Sequence, residues 1–224
     1  IENDEINYHD TREIFENGKV INYTGSTRTL FEQQNQKTCY ELLRPKILAK
    51  EPLSLSLVQT IHRTLTEGTY DERRYITNGE RPGAFKKHDY VTGKNEVGSP
   101  PEAVADDLTE LIEEVNAIGA QAPLKAGAYF HARFENIHPF ADGNGRVGRT
   151  LLNYWLMINH YPPLVIYEED RRAYYDALQT YDEQEDLAPL VTFLEEQTVK
   201  TWSRFLKPPA GNAPPRKGLN FFMN

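Results

Sequence analysis

The chain has 224 residues, a hydrophobic content of 39%, a charged content of 26% and a formal net charge of −8. These values suit one soluble globular domain with at most a small appendage. The net negative charge and the lack of a basic stripe argue against nucleic acid as the main partner. No run of 18 apolar residues is present, so the sequence predicts no membrane partner either.

Cys39 is the single cysteine, and it cannot form a disulfide within the chain. This suits a reducing cytoplasm, and we expect Cys39 to be a small buried side chain rather than a nucleophile. The chain opens on Ile1 rather than Met. Whether residues precede it in the full protein, a targeting segment included, is therefore left open.

Helical periodicity dominates the chain in order, over residues 26–48, 54–68, 100–120 and 123–137, and again after residue 144. Residues 86–99 break this pattern, because short extended pieces flank Thr-Gly-Lys-Asn, which predicts a β-hairpin. Residues 207–224 are rich in Pro and Gly and predict a loosely ordered tail. The sequence therefore predicts an all-α domain with one small hairpin.

The segment HPFADGNGRVGR, residues 138–149, concentrates most of the chemically informative side chains. Pro139 discourages a helix from continuing through His138, and residues 142–145 form a tight turn. The apolar run that follows predicts a helix beginning near Asn144 or Gly145. Backbone N–H groups at such a helix start form an anion-binding nest, which the helix dipole strengthens.

Arg146 and Arg149 stand three residues apart, on one face of that predicted helix. Two guanidiniums above a nest suit a polyphosphate better than a single carboxylate. Asp142 would repel this ligand unless a cation such as Mg²⁺ bridges the two. His138 titrates near neutrality, as a general base should, and Phe140 is expected to anchor the loop in the core.

Each of these features has a plainer interpretation when it is taken alone. The turn can be only a turn, the arginines can pair with the plentiful acids, and a lone histidine is usually structural. A zinc site using His131 and His138 lacks both an HExxH motif and a cysteine pair. The density of features within twelve residues favours a functional site.

The segment resembles the signature of the Fic family, His-x-Phe-x-(Asp/Glu)-Gly-Asn-Gly-Arg-x-x-Arg. The residues at its eight fixed positions are His138, Phe140, Asp142, Gly143, Asn144, Gly145, Arg146 and Arg149. The similarity continues through the Tyr-Pro-Pro turn and the Tyr-Tyr helix and covers most of the chain. It implies an N-terminal helical region over residues 1–50, a Fic core over residues 51–206 and the tail.

The resemblance implies transfer of AMP from ATP to a Tyr, Thr or Ser hydroxyl of a target protein. His138 would then deprotonate the hydroxyl and Asp142 would hold Mg²⁺. The α and β phosphates would lie on Gly143, Asn144 and Gly145, with Arg146 on the pyrophosphate side and Arg149 on the γ-phosphate. The target, which can be the protein itself, and a homodimer are the partners expected.

The hairpin resembles the flap on which Fic proteins dock a target by strand addition. The flap residues implied are Lys87, His88, Asp89, Tyr90 and Val91. The start of the chain, Ile1 to Asn3, is similar to the end of an inhibitory motif, (Ser/Thr)-x-x-x-Glu-(Gly/Asn). Glu2 would then pair with Arg149 and restrain activity, and in some relatives the same Glu supports removal of AMP.

On the adenine side, relatives often have an Asn where this chain has Asp182, and Tyr175 is a candidate neighbour. Two alternatives remain at this stage. A kinase of the Doc type typically has Lys at the position of Gly145, which argues against it here. An inactive helical interaction module is disfavoured because the base, the metal ligand and both arginines are all retained.

Overall fold

The computed structural model describes residues 8–17, 23, 25–91 and 98–206. Its α-helices within these ranges are α1 (Tyr8–Asn17), α2 (Thr27–Leu48), α3 (Leu55–Thr66), α4 (Val104–Ile118), α5 (Pro123–Ile137), α6 (Asn144–Ile158), α7 (Arg171–Gln184) and α8 (Ala188–Leu206). A π-helical turn, Arg73–Thr77, follows α3. The all-α prediction is confirmed. Residues 86–91 and 98–99 form no strand, and the predicted hairpin turn, 92–97, lies outside the described ranges.

Local signals account for most helix starts. Ser26 caps α2 by accepting the N–H of Thr29 at 3.1 Å, and Ser54 caps α3 by accepting that of Leu57 at 3.2 Å. These bonds satisfy backbone donors that a helix start leaves unpaired. Pro123 opens α5 at its predicted position. Helix α4 begins at Val104 rather than residue 100, because Pro100 to Ala103 form a turn instead.

Helix α5 lies at the centre of the core and packs against α4, α6 and α8. Gly127 permits the close approach of α6, since a Cβ there would lie 2.9 Å from Cδ1 of Trp155. Trp155 is 1% exposed and donates its ring N–H to Pro123 O at 2.9 Å. Cys39 is fully buried, which raises the pKa of its thiol to about 12 and makes it inert, as predicted.

The helices of the described ranges were compared with the length and apolarity that a membrane-spanning helix requires. A spanning helix needs about 20 mainly apolar residues. No helix in the described ranges is both long enough and apolar enough.

Candidate active site

The loop between α5 and α6 carries the predicted motif and is held by its own side chains. His138 ends α5 in the left-handed conformation, at φ 50°, and its N–H bonds to Phe134 O at 3.0 Å. The buried Asn144 side chain accepts the N–H of Phe140 at 2.9 Å and donates to Phe140 O at 2.7 Å. The Asn144 side chain therefore orders the loop, while its backbone begins α6 as predicted.

Phe140 and His62 form the floor beneath this loop. Phe140 is fully buried, as expected, and its ring stacks on that of His62 at a centroid distance of 3.6 Å. Nδ1 of His62 accepts the N–H of Gly83 at 2.8 Å, so Nε2 carries the proton and donates to Asp142 O at 3.0 Å. Burial lowers the pKa of His62 to about 4 and keeps the ring neutral. His62 lies on a periodic apolar helix, and its sequence neighbours gave no signal of this role.

His138 is one of the residues that line a cavity beside this loop. Its ring donates to the backbone carbonyl of Glu135, so in the neutral ring the second nitrogen carries no proton. Burial and, next, the charge of Lys86 lower the pKa of His138 to about 4. The imidazole is therefore neutral at pH 7 and able to accept a proton from a hydroxyl held beside it.

The cavity has a volume of about 810 Å³. Its lining unites the loop and the start of α6 with α2, the π-helical turn and the predicted flap: Ser26, Arg28, Thr29, Glu32, Arg74, Tyr90, Val91, His138, Ala141, Asp142, Gly143, Asn144, Gly145 and Arg146. Gly143 adopts φ +81°, and a Cβ there would lie 2.7 Å from Thr66 Cγ2. Only glycine therefore lets the chain turn tightly enough to direct the first N–H groups of α6 at this cavity.

The two arginines of the motif have different surroundings. The Arg146 guanidinium borders the cavity, lies 3.4 Å from Glu32 Oε1 and donates to Leu65 O at 3.3 Å. Arg149 instead borders an adjoining cavity of about 650 Å³, which Arg146 also lines. The structure thus brings Arg146, but not Arg149, into the lining around Asp142.

A buried tyrosine and histidine support Arg149. Tyr174 hydrogen-bonds to the Arg149 side chain, and its hydroxyl lies 2.7 Å from Nε2 of His131. Burial and then the Arg149 charge lower the pKa of His131 to about 3, so its ring stays neutral. The partner of the His131 ring is therefore Tyr174 rather than His138. The described residues contain no cluster of three or more potential metal ligands.

Asp142 lines the cavity, and both of its carboxylate oxygens accept hydrogen bonds. Oδ1 accepts the N–H of Gly143 at 2.9 Å, and Oδ2 accepts from Arg28 at 2.8 Å. A single carboxylate suits Mg²⁺, which is commonly bound by one or two carboxylates together with substrate phosphates and water. The donor set fits an ion that binds jointly with a nucleotide.

The flap residues are held by Glu80, a 1% exposed carboxylate that the sequence did not reveal. Its Oε1 accepts the backbone N–H of Lys87 at 3.0 Å and the Tyr90 hydroxyl at 2.9 Å, and lies 3.0 Å from Nδ1 of His88. Asp89 and Val91 are exposed. Tyr90 and Val91 are the predicted flap residues that reach the cavity.

The remaining predicted residues lie away from this lining or outside the described ranges. Tyr175 is 45% exposed beside Arg171, and Asp182 accepts from Asn136 at 3.1 Å. Neither borders the cavity around Asp142, so their adenine role stays a prediction. Glu2 and the tail, residues 207–224, lie outside the described ranges.

The buried histidines predict weaker folding at mildly acidic pH. His62, His131 and His138 have pKa values of about 4, 3 and 4 in the folded chain and about 6.5 when unfolded. Below pH 6.5 the unfolded chain binds more protons, so stability falls as the pH falls towards 4. Between pH 7 and 5.5 each histidine should remove roughly 1 kcal/mol from the free energy of unfolding.

Urea unfolding at the two pH values measures this loss. A His62→Gln variant should show a smaller loss than the parent, because it lacks one titrating group. Equal free energies of unfolding at pH 7 and 5.5 in the parent chain would contradict the prediction.

The helical fold and the loop after α5 together define a Fic-type domain. Residues 52–156 match the model of the Fic/DOC family. A Fic domain containing signaling protein from Bacteroides thetaiotaomicron has the same fold, with a TM-score of 0.77 at 24% identity, covering 88% of this chain and 78% of that one. Residues 52–156 of the chain therefore form a Fic domain.

The curated relatives are named protein adenylyltransferase Fic. That of Drosophila persimilis is 32% identical over 162 residues, which are 71% of this chain and 32% of the relative. That of Aedes aegypti is 43% identical over 84 residues, which are 38% of this chain and 17% of the relative. The chain spans about a third of the length of the Drosophila relative.

Two solved structures share both the fold and modest identity. Fic-1 from C. elegans has a TM-score of 0.75 at 26% identity, covering 90% of this chain and 58% of that one. The IbpA Fic2 domain in complex with adenylylated Cdc42 has a TM-score of 0.58 at 25% identity, covering 86% and 62%.

Proposed function

We propose that this chain transfers AMP from ATP to a Tyr, Thr or Ser hydroxyl of a target protein. The observation that carries the proposal is a neutral His138 in the same cavity as Asp142 and the glycine-rich start of α6. A proton acceptor, a cation ligand and an anion-binding nest are the groups that phosphoryl-type transfer requires. The names of the relatives and the adenylylated protein bound by the IbpA Fic2 domain support the same reaction.

In the proposed reaction His138 takes the proton of the target hydroxyl, and the oxygen attacks the α-phosphorus of ATP. The bond from the α-phosphorus to the bridging oxygen breaks, and pyrophosphate leaves with that oxygen. The backbone of Gly143, Asn144 and Gly145 holds the α and β phosphates, and Arg146 neutralises charge on the leaving side. Mg²⁺ held by Asp142 would supply further charge neutralisation. Arg149, oriented by Tyr174, is assigned to the γ-phosphate.

The target is proposed to dock on the flap, residues 87–91, by adding a strand beside it. Glu80 supports this role, because it fixes the flap next to the cavity through Lys87, His88 and Tyr90. The target can be another copy of this chain. We also propose that the chain forms a homodimer. Glu2 is proposed to restrain Arg149 and to support the reverse removal of AMP.

ATP labelled at the α or the γ phosphate tests the proposed reaction. With Mg²⁺ present, label should reach protein from the α position only, and Glu2→Gly should raise the transfer. Label arriving from the γ position would make the chain a kinase and contradict the interpretation of Gly145. Transfer from neither position, in a lysate as well, would favour a nucleotide-binding interaction module.

A further inference from the structure

Four charged groups of alternating sign form a chain among the residues that line the cavity. Asp142 Oδ2 lies 2.8 Å from Arg28 Nη2, and Arg28 Nε lies 2.9 Å from Glu32 Oε1. The same Glu32 oxygen lies 3.4 Å from Arg146 Nη1. Arg28 and Glu32 belong to the first turns of α2, and their partners belong to the motif.

The position of α2 holds this chain of charges in place. Ser26 caps the helix, and the buried Thr29 hydroxyl contacts Ser26 Oγ at 2.9 Å, which orders the first turn that carries Arg28. The side chains of Glu32 and Arg146 are only 13% and 12% exposed. Because water screens them little, their attraction exceeds that of an ordinary surface pair.

Arg28 and Glu32 satisfy the two motif charges to which the proposed function assigns Mg²⁺ and phosphate. Arg28 is a cation bound to Oδ2 of Asp142, the cavity-lining carboxylate that would hold Mg²⁺. Glu32 is an anion on the guanidinium of Arg146, where a phosphate would bind. The pair therefore presents to the motif the same charges that Mg²⁺ and ATP would present.

We propose that Arg28 and Glu32 are internal competitors of Mg²⁺ and the ATP phosphates and thereby set the affinity of the site for nucleotide. The inference rests on the proposed function. Arg28 and Glu32 stand four residues apart on α2 and are paired with each other, so each keeps a partner when Mg²⁺ and phosphate take its place on the motif. The competition is therefore reversible and leaves neither charge isolated.

The test is calorimetric binding of an ATP analogue with a methylene group between the α and β phosphorus atoms. This analogue binds but cannot transfer AMP, so the readout is independent of turnover. Titrations with Mg²⁺ and with EDTA separate the competition at Asp142, which involves the metal, from the competition at Arg146, which does not. The matched controls are Lys37→Ala and Glu41→Gln, which alter another ion pair four residues apart on α2.

Arg28→Ala should bind the analogue about threefold to fivefold tighter than the parent when Mg²⁺ is present, because Asp142 no longer has a competing cation. With EDTA the same variant should bind more weakly, since Asp142 then repels the phosphates. Arg28→Gln, which retains a long polar side chain, should change in the same directions. Weaker or unchanged binding of the analogue in Mg²⁺ would overturn the proposal. Weaker binding both in Mg²⁺ and in EDTA would show that Arg28 is instead a phosphate ligand.

Glu32→Gln should bind about tenfold tighter than the parent with Mg²⁺ and with EDTA, because its half of the competition involves no metal. Both control variants should bind like the parent. Unchanged or weaker binding by Glu32→Gln would overturn its part in the proposal. A failure of label transfer would refute the proposed reaction, whereas these affinity shifts would still be measurable.

Discussion

Replacing His138 by alanine is expected to slow AMP transfer by about 10²- to 10⁴-fold, the usual contribution of general base catalysis. The neutral imidazole is held by the Glu135 carbonyl and faces the cavity, and no other histidine is among the described cavity-lining residues. Affinity for ATP should change little, because the proposed phosphate contacts come from α6 and the arginines. Single-turnover transfer from α-labelled ATP, together with calorimetric binding, measures both quantities.

The matched control for this experiment is His9→Ala, which removes an exposed histidine from α1. It should retain the parent rate. A His138→Ala chain that transfers AMP at the parent rate would show that another group accepts the proton. A large loss of ATP affinity would instead show that the ring holds the nucleotide.

Replacing Gly98 by alanine is expected to lower the transfer rate by about 100-fold, although Gly98 lies outside the motif. Gly98 adopts φ +68°, and a Cβ there would lie 2.7 Å from Ile137 O and 2.9 Å from His138 Cβ. Contacts this short must shift the backbone that carries His138. A displacement of about 1 Å at a catalytic group can cost about 10²-fold in rate.

Gly119→Ala isolates the effect of backbone strain in this experiment. Gly119 also has a positive φ, +55°, but a Cβ there would have no neighbour within 4 Å. Both variants should lose stability because alanine is strained at a positive φ, and only Gly98→Ala should lose activity. Equal rates for the two variants in the labelled transfer assay would refute the proposed contact with His138.

Much of the fold follows from rules that act over a few residues. Periodicity predicted helices over residues 26–48, 54–68 and 123–137, and the structure confirms α2, α3 and α5 there. The predicted start of α4 at residue 100 was wrong by four residues, because Pro100 to Ala103 form a turn. Local signals are weakest at such boundaries.

The candidate site also combines features that the local sequence predicts with features that only the folded chain shows. The motif from His138 to Arg149 determined by itself that a turn would precede α6, that Phe140 would be buried and that glycine would be needed at the nest. His62, Glu80 and Tyr174 emerged only from the folded chain, because nothing in their sequence neighbourhoods shows which loop they contact. His62 lies 80 residues from the Asp142 carbonyl that it bonds.

The clearest case is the partner of Asp142. From the sequence we predicted a cation such as Mg²⁺ bridging this carboxylate and a phosphate ligand, and whether the motif arginines pair with acids was left open. The structure supplies Arg28, 114 residues away along the chain, and pairs Arg146 with Glu32. Helix caps and glycine turns depend on adjacent residues and can be predicted from them, whereas a charge pair between α2 and the motif exists only once core packing has brought the two elements together.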